Sequence, residues 1–273
     1  MFDLTGRTVL ITGGCGQLGM QHAEAILEFG GEVVLADIVG ENEQEDAVKS
    51  LKFKFSRSEG ISSVYMDVTD KVSIQKAVDK YVKIDVLINN AGIDPKVEEG
   101  LGWKNKFEHL ELDLWNEMLN VTLTGTFLCS QVVVNKMLST GLESPYCTRG
   151  GVILNIASDL SVISPDHRIY GDNAKPISYG VAKAGVVNLT KYLASYLAKK
   201  IPQFGVKVMV PDPVSISMSV QIVPDTYTFP LLSKVIFASS IILSADKVLD
   251  HRRLPLASYL KNLKSYSEAE LEA

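Results

Sequence analysis

The chain has little of what builds metal centres or disulfide frameworks: three cysteines, Cys15, Cys129 and Cys147, and four histidines among 273 residues. Odd in number and widely spaced, the cysteines form neither a ligand cluster nor a paired scaffold. This predicts no metal site and a reducing compartment. A basic excess is also absent. The formal net charge is −5, which leaves no electropositive face for a phosphate backbone, so no nucleic acid partner is expected. Long apolar runs are lacking as well. The stretch from Val235 to Leu243 is far shorter than the roughly 20 residues of a membrane span, and Met1 to Arg7 contains no apolar core of signal-peptide length. No membrane partner and a cytoplasmic location are expected. What remains is an ordinary globular composition, 46% hydrophobic with 22% charged residues of mixed sign, without repeats or low-complexity segments.

What is present is alternation. Short apolar runs at 8–12, 32–37, 64–68, 85–92, 150–158 and 206–210 read as buried strands. Helical patterns at 17–30, 72–82, 113–136 and 179–199 lie between them. Continuous apolar strands separated by helices are the pattern of a parallel sheet covered on both faces. Right-handed crossovers then predict a Rossmann-like, doubly wound α/β fold in three layers. One domain spans 1–210, with an atypical part over 211–273 expected to form a proline-punctuated flap and packed helices. The connections 93–112 and 159–178 are longer than usual and are candidate functional loops.

The first strand runs into Thr12-Gly13-Gly14-Cys15-Gly16-Gln17-Leu18-Gly19. Gly14, Gly16 and Gly19 have the spacing G-x-G-x-x-G, with a strand before and a helix after. Such a turn lets backbone approach a pyrophosphate and offers it the free N–H groups of a helix N-terminus. Asp37 ends the next strand, 18 residues after Gly19, where a carboxylate can accept hydrogen bonds from ribose hydroxyls. It would repel a 2′-phosphate, and Ile38-Val39-Gly40-Glu41 supplies no cation. NAD is therefore expected rather than NADP. In the second half, Tyr179 and Lys183 stand at i and i+4 on one helix face, just after a strand ending in Ser158. A neighbouring ammonium lowers the pKa of a phenol and brings it into range as a general acid/base.

Together "TGGCGQLG", Asp37, Asp67 in "MDV", "NNAG" at 89–92, Asn120 in "NVTLTGTF", Ser158 and "YGVAK" resemble the short-chain dehydrogenase/reductase family, in the family's order, over residues 6 to about 210. The resemblance implies hydride transfer between a nicotinamide cofactor and an alcohol or carbonyl. By position it makes Tyr179 the acid/base and Lys183 the group that lowers its pKa and holds the nicotinamide ribose. Ser158 would bind the substrate oxygen, and Asn120 would help hold a relay water. Asp67 and Val68 would meet the adenine, while Asn89, Ala91 and Gly92 would line the cofactor path. It also implies a small-molecule substrate and a homodimer or homotetramer.

Three features depart from the family pattern. Gln17 stands where compact members have a glycine, and the spacing of Gly13, Gly16 and Gly19 is similar to that of extended members, many of which act on nucleotide sugars. Ser158 and Tyr179 are 21 residues apart, so an insertion lies beside the site. Its His167, Arg168 and Tyr170 could contact a polar or anionic substrate. This stretch resembles members from bacterial surface-sugar and flagellin-glycan pathways, which points to a sugar-like substrate. Third, Met209 replaces an expected Asn, and 214–273 lacks the family's final strand. Two other readings stay open: an epimerase or dehydratase that retains its NAD, and a non-catalytic NAD-binding protein. His22 and His109 are expected at the surface, and Cys15 as a small turn residue.

Overall fold

The computed structural model describes residues 3–94, 104, 106–143, 151–198 and 205–209. The flap expected over 211–273 lies outside them. Six strands, β1 (Thr8–Thr12), β2 (Glu32–Asp37), β3 (Ile61–Tyr65), β4 (Val86–Asn89), β5 (Val152–Ile156) and β6 (Gly205–Met209), form one sheet. Its order is β3-β2-β1-β4-β5-β6, and every pairing is parallel. The chain runs outward from β1 to β3, then returns to place β4 on β1's other side. That reversal opens a crevice between the carboxyl ends of β1 and β4, where doubly wound sheets bind ligands.

Side-chain alternation along each strand builds two cores. Val9 and Ile11 of β1, with Val33 and Leu35 of β2, face α1 (Gln17–Glu28) and α2 (Glu41–Phe55) through Ile26, Leu27 and Leu51. Leu10, Val34 and Ala36 face the opposite side. There they meet Ile74 and Val78 of α3 (Lys71–Asp79), Val133 and Met137 of α5 (Gly125–Glu143), and Ala194 and Leu197 of α6 (Ile177–Ala198). Helices on both faces cover β1, β2, β4 and β5, which is why these strands read as continuous apolar runs, whereas the edge strand β3 leaves Tyr65 exposed. The three-layer α/β fold is as expected.

Several local expectations need correction. The third strand occupies Ile61–Tyr65, not 64–68. Met66 and Val68 are apolar because they pack into the core beyond the strand's end. No helix is anticipated over 41–55, yet α2 is there. It buries only Gln44 and Leu51 fully, so its apolar periodicity is weak. It starts with Glu41 and Glu43 and ends with Lys52 and Lys54, charges that complement the helix dipole. The single helix expected over 113–136 is interrupted. Helix α4 (Leu112–Leu119) passes into a π-helical segment, Asn120–Thr124, before α5 begins. Among the described residues, Leu112–Ser139 is also the one stretch long and apolar enough to cross a membrane, and half of that window is buried here. His22 is the plainest reversal. It is 1% exposed, turned inward on α1, whereas His109 is exposed as expected.

Candidate active site

The glycine turn joins β1 to α1. Gly13 has φ +62°, a conformation open to glycine and strained for other residues. At Gly19 a side chain would stand 2.2 Å from the Gly13 carbonyl oxygen, so the helix can pack this close only without one. The Gly14 N–H donates to the Ala36 carbonyl at 3.2 Å. Gly16 is the N-cap of α1 and supplies no side-chain cap, and Gly16, Gln17 and Leu18 are exposed. The first turn of α1 therefore presents backbone donors outward, which suits an anionic pyrophosphate. Asp37 reaches this turn directly. Its Oδ2 accepts the Cys15 N–H at 2.9 Å and its Oδ1 accepts the Ile38 N–H at 2.8 Å. The Val39 N–H adds a longer contact to Oδ1 at 3.4 Å; a carboxylate has about four acceptor positions, so about one remains for a ribose hydroxyl.

Behind the turn, Thr12 Oγ1 accepts the N–H groups of Asn90 at 3.0 Å and Ala91 at 2.9 Å. The Asn90 side-chain amide returns hydrogen bonds to the carbonyls of Thr12 and Gly13, at 3.0 and 3.1 Å. Asn90 thus ties β4's end to the glycine turn, a role the sequence did not single out. Asn89, expected on the cofactor path, is buried instead. Its amide nitrogen donates to Ser130 at 3.0 Å and to Asn155 at 2.7 Å, and Asn155 donates to Thr190 at 2.8 Å. These bonds link β4, α5, β5 and α6 beneath the site. Asp67 closes a local turn by accepting both the N–H and the hydroxyl of Thr69, at 2.8 and 2.7 Å. Val68 packs where a side chain at Gly125 would come within 2.8 Å of it.

The second half of the site sits at the carboxyl end of β5 and the first turns of α6. Tyr179 is hydrogen-bonded to Ser158. Ser158 in turn donates to Asp159 at 2.7 Å and accepts the Leu160 N–H at 3.3 Å. Lys183, one turn on from Tyr179, is 5% exposed and donates to the Ile156 carbonyl at 2.7 Å. Its Nζ stands 5.9 Å from the centre of the Tyr179 ring. Burial pushes Lys183 down to about 8. For Tyr179 the outcome reverses the sequence expectation of a lowered pKa. Burial, and after it the charge of Asp94, push the phenol up to about 12, against a smaller lowering by the Ser158 hydrogen bond. Desolvation disfavours the phenolate more than the surrounding groups restore it.

Asn120 differs from these buried and half-buried groups. It is exposed, and its carbonyl accepts the Gly125 N–H inside the π-helical segment. Two residues on, Thr122 is 1% exposed, and its hydroxyl is without a partner among the described residues. A methyl group on Gly92 would stand 3.5 Å from that hydroxyl and 3.7 Å from Lys183 Nζ. Gly92, Thr122 and Lys183 therefore share one spot. The π segment turns residue 122 inward, a rotation that helical periodicity alone does not reveal.

Residues 7–226 match the family model described as short chain dehydrogenase. The chain belongs to this family. An NAD-dependent glycerol dehydrogenase of Listeria innocua is 32% identical over 197 residues, covering 71% of this chain and 65% of that protein. A 7alpha-hydroxysteroid dehydrogenase of Bacteroides fragilis is 31% identical over 199 residues, covering 71% and 67%. The crystal structure of a short-chain type dehydrogenase/reductase from Mycobacterium marinum matches with a TM-score of 0.63 at 25% identity, over 77% of this chain and 75% of that one. The matched segment spans 65–67% of the length of the two curated relatives.

The insertion after Ser158 divides its polar residues. Arg168 folds back onto Asp166 through two side-chain contacts, at 2.8 and 2.7 Å, both at the surface. Tyr170 is half-buried and close enough for its phenolate charge to raise Tyr179. His167 lines a cavity of about 550 Å³ with Val162, Ile163, Ile177, Val181 and Ala184. That cavity uses the α6 face holding 177, 181 and 184. At 3.6 residues per turn this face lies well round the helix from Tyr179 and Lys183. Lys175 sits at its edge, with Nζ 4.4 Å from the centre of the Tyr179 ring, and is ion-paired with Asp94. Neither residue was anticipated, because only the fold brings 94 and 175 together.

Proposed function

We propose that this chain is an NAD(H)-dependent oxidoreductase that moves a hydride between nicotinamide and a secondary alcohol or carbonyl. The observation that carries this reading is the meeting of Tyr179 and Ser158, hydrogen-bonded at the carboxyl end of β5, with Lys183 one turn along. The nicotinamide supplies or accepts the hydride when bound. The glycine turn from Gly13 to Gly19 takes its pyrophosphate and Asp37 its adenosine ribose, while Lys183 and Gly92 lie toward the reacting end. Asp37 favours NAD by repelling a 2′-phosphate.

With a pKa of about 12, Tyr179 is fully protonated at neutral pH and acts first as a proton donor. As a substrate carbonyl gains hydride, the Tyr179 hydroxyl, released from Ser158, gives its proton to the developing oxyanion, and the Ser158 hydroxyl turns from Asp159 to donate a hydrogen bond to the same oxygen. Lys183, at about 8, still carries its charge at neutral pH and stabilises the phenolate left behind. In this reading the buried Thr122, rather than the exposed Asn120, completes the set beside Lys183. A polyol or sugar-like substrate accords with the glycerol dehydrogenase relative and a larger alcohol with the steroid one, and both present a secondary hydroxyl. Copies would pair into a homodimer or homotetramer through α6, whose Val181, Tyr192 and Tyr196 are exposed.

Tyr179→Phe tests the reading. Turnover with NAD⁺ over a panel of secondary alcohols, glycerol included, should fall by about 10²–10⁴, the usual contribution of a general acid/base group. Calorimetric NAD⁺ affinity should stay within about twofold of the parent on the same principle, because only the transferred proton is removed. Substantial residual turnover in the variant would place the proton donor elsewhere.

A further inference from the structure

Of the two ammonium groups over the Tyr179 ring, Lys183 is the farther. Lys175 lies two residues before α6, and its Nζ is 4.4 Å from the ring centre against 5.9 Å for Lys183. Its side chain is 13% exposed, while its counterion Asp94, just beyond β4, is 57% exposed. The ion pair bridges positions 81 residues apart and joins the segment after β4 to the one that leads into α6.

We propose that Lys175 is a positioning residue of the proton-transfer site: a second ammonium that holds the Tyr179 ring and favours its phenolate, with Asp94 setting how much of that charge the ring feels. An ammonium over an aromatic face attracts the ring, and the attraction strengthens where water is excluded. It also stabilises the negative charge that deprotonation places on the same ring. The other groups facing Tyr179 are Lys183 on its own helix, Asp94 after β4, Ser158 and Asp159 after β5, and Tyr170 from the insertion. Two ammonium groups thus oppose two carboxylates, and Lys175 is the closer of the two cations to the ring. Asp94 acts both by neutralising Lys175 and by opposing the phenolate directly. Removing either partner of the pair must therefore move Tyr179 in opposite directions. A pair serving only as a mechanical clamp would loosen the site in the same direction whichever partner is lost.

The consequence for turnover rests on Tyr179 being the proton donor, but the electrostatic effect can be measured without turnover. Tetranitromethane nitrates tyrosine through the phenolate, so the rate of nitration at Tyr179, followed by peptide mass spectrometry on the full chain, reports phenolate availability. Lys175→Met should slow nitration of Tyr179 about fivefold, in proportion to a pKa rise of somewhat under one unit. Lys175→Arg should restore it, and Asp94→Asn should accelerate it. Exposed Tyr192 and Tyr196 on the same helix serve as internal references and should not change. Unchanged or faster nitration in Lys175→Met overturns the proposal, as does a change of the same sign in Lys175→Met and Asp94→Asn. If Lys175→Met fails to fold, the Lys175→Arg and Asp94→Asn pair still decides it: nitration near the parent rate in the first and faster in the second is expected, and slower in the second refutes it. In turnover, Lys175→Met should lower kcat about fivefold with KM for NAD⁺ unchanged, and should add nothing in a Tyr179→Phe background. High activity in Tyr179→Phe alone would overturn the proposed function while leaving the nitration result standing.

Discussion

His22 should make this fold sensitive to mild acid. Its imidazole is buried on α1, and both ring nitrogens are without partners among the described residues. Burial pushes its pKa from 6.5 down to about 4. The folded chain therefore refuses a proton that the unfolded chain accepts. For a depressed base, stability is complete above the unfolded value and is lost as pH falls from 6.5 toward 4. Integrated between about pH 7 and pH 5, the difference is about 2 kcal/mol, or about 4–8 °C in Tm for a domain of this size. Glu45 and Asp166 start from 4.5 and 3.8 and are both lowered, so they titrate below this window. Urea unfolding at pH 7, 6 and 5 measures the slope, with a constant m-value showing that the same transition is followed. His22→Leu, close in volume and without polar atoms, should flatten the acid limb and leave stability at neutral pH equal or higher, since no buried donor or acceptor stays unsatisfied. If the variant loses the same 2 kcal/mol between about pH 7 and pH 5, His22 is protonated in the folded chain and this account of its burial is wrong.

Two further outcomes test the site. Asp37→Asn keeps an acceptor for the Cys15 N–H but removes the charge, so calorimetry should show the preference for NAD⁺ over NADP⁺ shrinking by about tenfold, roughly 1.4 kcal/mol of relieved repulsion; an unchanged ratio would mean Asp37 does not read the ribose. Thr122→Val should lower kcat by about tenfold with Thr122→Ser close to the parent, whereas Asn120→Ala should leave kcat within about twofold, since a group that only supports the proton transfer is felt in kcat by less than the acid/base group itself. The reverse ranking would return the relay to Asn120.

The order of strands and helices was legible because both faces of the sheet's centre are covered: β1, β2 and β5 are apolar at nearly every position. Where an element's signal depends on partial burial, it was lost. Helix α2 shows the sheet only Gln44 and Leu51 as fully buried residues, and β3 was shifted because Met66 and Val68 enter the core outside the ladder. The glycine turn, Asp37 and the Tyr179–Lys183 pair were legible for a similar reason, since each is a short stretch whose spacing carries its meaning. Sequence alone thus determined the fold class, the glycine turn between β1 and α1 and the spacing of the Tyr179–Lys183 pair that heads α6. Tertiary structure alone decided that His22 turns inward, that Asn90 and not Asn89 braces the turn, and that the π segment puts Thr122 beside Lys183. It also set Lys175 over the Tyr179 ring and raised that phenol instead of lowering it. Backbone conformation follows local periodicity and turn chemistry, which neighbouring residues encode. Desolvation and charge proximity are summed over groups as far apart in the chain as Asp94 and Tyr179, and only folding brings those terms to one point.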